Sequence, residues 1–299
     1  MISPAVRPAA LSIGLAIIAP LALHAQVSGR EDLEFKWSKQ LAAGATLVIR
    51  NPSGPITVRQ ATGNRVEISA VKRLRGRTRA SDIAFDVRET GDQVEVCALF
   101  GDQESCRDRG PRSTDNVRGS VEFTVLLPPS ARLRVGTGNG AIAIERAGGE
   151  VSAATGNGEI RIGETTGRVD ASTGNGDVQV AGANGPVNVS TGNGRVYVRT
   201  ARGSVDASTG NGDIDVRIGA LPTDTDMKFS TGSGGIHIGL PSEFNGRIDA
   251  TTGNGTLRSE FDIAIVGRLD AHHVRGTIGS GGPLLRLVTG NGVIELQKN

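Results

Sequence analysis

The chain has 299 residues, with 43 glycines but only 7 phenylalanines, 1 tyrosine and 1 tryptophan, too few aromatic rings to line a sugar cleft. Its 33 basic and 31 acidic residues give a formal charge of +2, a balance that demands no polyanionic partner and sets nucleic acid aside.

The chain opens with Arg7, an apolar stretch from Ala9 to Ala19, the helix-ending Pro20 and the segment Leu21-Ala22-Leu23-His24-Ala25. This pattern predicts a secretory signal peptide over residues 1–25, cleaved after Ala25, and hence an exported protein, periplasmic or at the cell surface and beyond. The apolar stretch is too short to span a bilayer and no later segment is longer, so no transmembrane segment is expected in the mature chain. With no cysteine near the cleavage point, a lipid anchor is not expected either.

Residues 26–130 alternate apolar and polar side chains without a glycine period, as in Val66-Glu67-Ile68, Val94-Glu95-Val96 and Val121-Glu122-Phe123-Thr124-Val125. Period two marks strands, and the segment reads as an irregular β cap with the first irregular rungs, covering the open end of a stack. Phe35, Trp37, Phe85, Phe100 and Phe123 give it a bulkier core. A helical turn is expected only around Arg79 to Val87. Cys97 and Cys106 flank the turn-rich Gly101-Asp102-Gln103-Glu104-Ser105, and in an oxidising compartment this favours a local disulfide over a metal pair. The basic run Lys72, Arg73, Arg75, Arg77 and Arg79 has acids interleaved around it. It reads first as a solvated loop region and second as a patch for anionic surface polymers.

Residues 131–299 are regular. Glycine falls at every ninth position from Gly140 to Gly212, and every second one closes a Thr-Gly-Asn-Gly tetrapeptide, as in Thr155 to Gly158 and Thr173 to Gly176. The predicted fold is all-β: a single-stranded parallel β-solenoid with about 18 residues per two-strand rung, the rungs stacked about 4.8 Å apart. About nine rungs fit between Ala131 and Asn299 at that repeat. Val169, Ala171, Val178, Val180, Val187 and Val189 should face inward, and Arg168, Asp170, Asp177, Gln179 and Asn188 outward. In the corner, Asn-Gly suits the positive φ of a two-residue turn, and the stacked Asn139, Asn157, Asn175, Asn193 and Asn211 are expected to form an amide ladder. A phosphate-cradling role is set aside because each corner leads into a strand rather than a helix. Beyond Gly219, Leu221 to Asp226 and Leu240 to Asn245 enlarge the opposite turns, where repeat proteins often build binding surfaces.

The best catalytic candidates are weak ones, Asp170 and Asp206. They are outward, two rungs and so about 9.5 Å apart, with Asn188 between them, near the upper limit for an inverting glycosidase pair. The flat face and small neighbours Ser172, Ser190 and Ser208 argue against a cleft. Calcium-binding β-rolls place aspartate two residues after the last glycine of a turn, where this chain has Ile142, Ile160, Val178, Val196 and Ile214, so no metal and no cofactor is expected. His272 and His273, as neighbours on a strand pattern, face opposite ways and make a poor metal pair.

The segment Leu47-Val48-Ile49-Arg50-Asn51-Pro52-Ser53-Gly54-Pro55-Ile56-Thr57-Val58, the later Leu126-Leu127-Pro128-Pro129 and the Thr-Gly-Asn-Gly corners resemble the bacterial "putative adhesin" family of exported β-strand-repeat proteins, over nearly the whole mature chain. The resemblance implies the repeat fold and a domain of unknown function, and supplies no catalytic residues. The function expected is that of an exported, non-catalytic β-solenoid serving as an interaction or surface-structural, adhesin-like protein, with a cell-surface polymer or protein as partner. The alternative is a polysaccharide-active enzyme using outward carboxylates of the solenoid face.

Overall fold

The computed structural model describes residues 26–28, 31–105, 117–200, 202–220, 225–266 and 272–299; the expected leader and Cys106 lie outside them. Alternation decides the packing. Val169, Ala171, Val178 and Val180 are buried, whereas Arg168, Asp177 and Gln179 are exposed. Strand Val169–Asn175 lies in one sheet and Val178–Ala183 in the facing sheet, and together they form one rung. The next rung stacks parallel and in register, Val169 on Val187 and Val178 on Val196. The chain is therefore a parallel β-solenoid of two facing sheets, with 14 and 12 strands among the described residues.

Among the described residues after Ala131 there are eight two-strand rungs, against the nine or so expected. The difference lies in residues 260–283, part of which leaves the coil to form Ile263–Ile265 and His273–Ile278, antiparallel strands at the end of the 14-stranded sheet.

The stacking order departs from the chain order at both ends. The rung Thr46–Ser53 with Ile56–Gln60 sits inside the stack, flanked by Arg132–Asn139 on one side and by the later strands Gln93–Phe100 and Gly119–Leu127 on the other. Beyond these, Ile83–Thr90 and Arg65–Leu74 pair antiparallel, so the exposed end is covered by reversed strands. The far end mirrors this. The last strands, Leu284–Asn291 and Ile294–Lys298, insert between the rung of Met227–Ser233 and Ile236–Leu240 and the rung of Gly246–Asn254 and Leu257–Ser259. Leu285, Leu287, Ile294 and Leu296 are fully buried there.

Each end also carries aromatic rings. Phe35 stacks on Phe85 with centroids 4.5 Å apart, Phe85 meets Phe123 edge-on at 6.0 Å, and Phe244 meets Phe261 edge-on at 6.2 Å. The helical turn expected near Arg79 is a single 3-10 turn, Ala80–Asp82, and strand begins at Ile83. The basic run is not all solvated loop. Lys72 lies on a strand, buried, with Nζ donating to Ala80 O at 2.9 Å, and Arg73 pairs with Glu122.

The inserted rung carries a testable consequence. Leu287→Ala should cost about 2–5 kcal/mol and speed amide exchange in both Met227–Ser233 and Gly246–Asn254, the strands on either side of it. Undiminished protection in Met227–Ser233 would mean that the chain stacks in its own order.

Candidate interaction surface

Every corner repeats one arrangement. The threonine turns inward, and its hydroxyl donates to the carbonyl of the corner glycine one rung back: Thr173 to Gly158 O at 2.9 Å, Thr191 to Gly176 O at 2.8 Å, Thr209 to Gly194 O at 3.0 Å. The asparagine turns outward, and its amide donates to the asparagine before it. Asn157 donates to Asn139 at 2.9 Å, Asn175 to Asn157 at 2.9 Å, Asn193 to Asn175 at 2.8 Å and Asn211 to Asn193 at 2.8 Å. Ser233 stands in the next position, and Asn254 donates to Asn291 at 2.8 Å beyond it.

The backbone reason given for the corner needs correction. No described residue other than glycine has positive φ, so asparagine is there for its amide and not for a left-handed turn. Glycine is required by contact. A Cβ on Gly158 would sit 2.1 Å from Gly140 O, at a φ of +151°. Sequence reasoning missed the threonine bonds, although an invariant threonine opening each tetrapeptide was their signal.

Asp170, Asn188 and Asp206 do share one outward row, but the two acids are engaged separately. Arg168 grips Asp170 with two bonds, Nε to Oδ2 at 2.9 Å and a second guanidinium nitrogen to Oδ1 at 3.1 Å. That hydrogen bonding, then the charge of Asp170, raises the guanidinium's hold on its proton. Asp206 Oδ1 accepts the backbone N–H of Lys228 at 2.8 Å. One acid is thus bound to a permanent cation and the other to the next rung, a poor starting point for general acid and base work.

The positions where a β-roll would hold calcium are filled by buried Ile142, Ile160, Val178, Val196 and Ile214. Among the described residues no three His, Cys, Asp or Glu side chains gather in a metal-binding group, and no helix is long and apolar enough to cross a membrane. His273 Nε2 lies 2.9 Å from Asp249 Oδ1, while His272 sits in the preceding turn with its carbonyl bonded to Thr252 N. Cys97 is buried with Ala84 and Leu99 in a small cluster separate from the main core. No described cysteine is free. Of the enlarged turns, 221–224 lie outside the described residues. Asp226 Oδ1 accepts Leu284 N at 2.7 Å, which ties it to the inserted rung. Pro241, Glu243, Phe244 and Asn245 border an open crevice of about 570 Å³ facing Ser280.

A stack of this kind, with outward rows of polar side chains and no assembled catalytic group among the described residues, is a repeat scaffold. Residues 45–297 match the Toastrack DUF4097 family, and the chain belongs to it. No curated protein matches the sequence. Two solved structures are similar at 10% identity. One is described as a "putative cell adhesion protein" from Clostridium sporogenes, with a TM-score of 0.26 and coverage of 89% of this chain and 100% of that one. The other is described as a "putative adhesin" from Bacteroides fragilis, with a TM-score of 0.45 and coverage of 89% and 97%.

The corner bonds can be tested singly. Thr191→Val keeps the shape but leaves the carbonyl of Gly176 without its hydroxyl donor, and unfolding measurements should show a loss of about 1–2 kcal/mol. An unchanged midpoint would mean that the hydroxyl contributes nothing to the stack.

Proposed function

We propose that this chain is an exported, non-catalytic β-solenoid that serves as an interaction or surface-structural, adhesin-like protein and engages a cell-surface polymer or another protein through its outer faces. The observation that carries the reading is the engagement of Asp170 by Arg168 and of Asp206 by Lys228 N. Outward carboxylates here hold the scaffold together and do not converge on a cleft. The proposed organisation is a leader over 1–25, a β cap with irregular rungs over 26–130 and regular repeats over 131–299. Export also accounts for the cysteines, since a Cys97–Cys106 disulfide persists only in an oxidising compartment.

Expressed with residues 1–25 in a bacterial host, the protein is expected outside the cytoplasm and exposed to protease on intact cells or in the periplasm. Both cysteines should resist thiol reagents until reduced, and no turnover should occur on a panel of cell-wall and plant polysaccharides. A cytoplasmic chain with reactive Cys97 and Cys106 contradicts export. Turnover that disappears in Asp206→Asn would instead establish the polysaccharide-active enzyme.

A further inference from the structure

At several places on the outer surface, opposite charges on neighbouring rungs pair across the ladder. Arg146 pairs with Glu164 on the next rung, Arg59 with Glu145, and Arg50 with Glu95. Like charges face each other at Lys228 and Arg286 on the 14-stranded sheet, where Asp249 is the register partner on the far side of Arg286, and again at a second place. On the 12-stranded sheet, Arg199 of Val196–Thr200 and Arg217 of Ile214–Ile218 are register partners, both exposed. Like charges directly opposite each other across a ladder are destabilising, and among the described residues neither arginine has a carboxylate partner.

The residues around this pair are equally particular. Tyr197, the chain's sole tyrosine, is half-buried on the same face, with the Arg199 guanidinium 5.6 Å from its ring centroid. Gln179 and Asp215 are its register neighbours on the two adjacent rungs. Beyond Arg217 the register partner is Gly239, with no side chain, and a Cβ there would stand 2.4 Å from Asn299 Oδ1 and 3.3 Å from the Arg217 stem, so the Asn299 side chain borders this edge. The result is a shelf of two exposed arginines rooted on adjacent rungs, roughly 4.8 Å apart at the backbone, beside an aromatic ring, two amides and one acid.

We propose that this shelf binds a uronic acid residue of an acidic polysaccharide. The identification rests on the surface-interaction reading above and names its ligand class. The two arginines straddle the sugar carboxylate, a planar anion that guanidinium forks fit in bidentate fashion. The Tyr197 ring offers an apolar face to the C–H face of the sugar ring, while Gln179 and Asp215 can bond the sugar hydroxyls. Asp215 also decides against the other polyanions. Nucleic acid binding relies on runs of basic side chains along a dense phosphate backbone, and an acid within the patch opposes that, whereas a sugar carrying one carboxylate and several hydroxyls gains a hydrogen-bond acceptor from it.

The test is calorimetric titration of the mature chain, residues 26–299, with a hexamer of galacturonic acid and with its neutral methyl ester at low salt. The acid should bind at least about tenfold more tightly than the ester, the worth of one charge-assisted contact. Arg199→Gln and Arg217→Gln should each weaken the acid about tenfold with a melting temperature no lower than the wild type's, because each removes the repulsion between the pair, while Tyr197→Ala should weaken acid and ester alike. Equal affinity for acid and ester, no binding of the acid, or tighter binding of duplex DNA overturns the proposal. If the wild type and both arginine variants attach equally well to intact cells and to the hexamer, this site falls while the surface-interaction reading stands. If the wild type attaches to neither, both fall.

Discussion

The structure depends on backbone meeting backbone at the corners. Glycine lets one corner lie directly on the next. Only at that spacing can the threonine hydroxyl reach the carbonyl behind it and the asparagine amide reach its copy one rung away. Each contact is modest, about 1 kcal/mol for a neutral hydrogen bond, but the 18-residue separation between bonded asparagines repeats it along the stack. With the corners in register, the valines follow, Val169 on Val187 and Val187 on Val205. A core of small aliphatic side chains can then close between two sheets whose connections are only a few residues long.

A stack made this way has no natural end, since each rung offers the next one a template. This chain solves the problem twice by the same means. At each end a rung made from later sequence is placed next to one made from earlier sequence; reversed strands pair beyond both sheets at the first end, and beyond the 14-stranded sheet alone at the far end, where Leu257–Ser259 closes the other sheet in parallel. The terminal strands Leu284–Asn291 and Ile294–Lys298 thereby become interior. Thr289 bonds Gly234 O at 2.8 Å, and Thr252 in turn bonds Gly292 O at 3.1 Å, so the inserted rung uses the same corner chemistry on both its faces. Such long-range pairings close large loops and favour slow folding.

That shared chemistry explains what was legible in the sequence. Period two and the glycine spacing identify the rung, its inward set and the solenoid, because each follows from local geometry. The order of stacking does not, since a corner that fits one Thr-Gly-Asn-Gly fits any other, and nothing in Thr289 to Gly292 says it belongs between Gly234 and Gly255. Outward residues are misleading for a similar reason. Asp177 reads as free surface, yet its Oδ1 accepts Arg195 N at 2.8 Å. Lys72 reads as part of a basic loop, yet strand alternation turns it inward beneath Ala80. Asp170 and Asp206 share the outward row expected of them, and Arg168 and the Lys228 N–H each bond one of them. The Arg199 and Arg217 pair stands 18 residues apart in the sequence and becomes visible only once the rungs are in register.

The central claim, that contact between glycine corners holds the solenoid, is tested most directly by Gly176→Ala. The added Cβ would lie 2.2 Å from Gly158 O at a φ of +144°. The corner would have to part from the one before it, breaking the ladder bond of Asn175 to Asn157 together with the Thr173 hydroxyl bond to Gly158 O and the backbone bond Gly158 N to Asn175 O. Chemical unfolding should show a loss of at least about 3 kcal/mol, with exchange protection lowered in the rungs on both sides. A variant as stable as the wild type would contradict the account, for it would mean that the corners are not in contact and that the glycine period serves some other end.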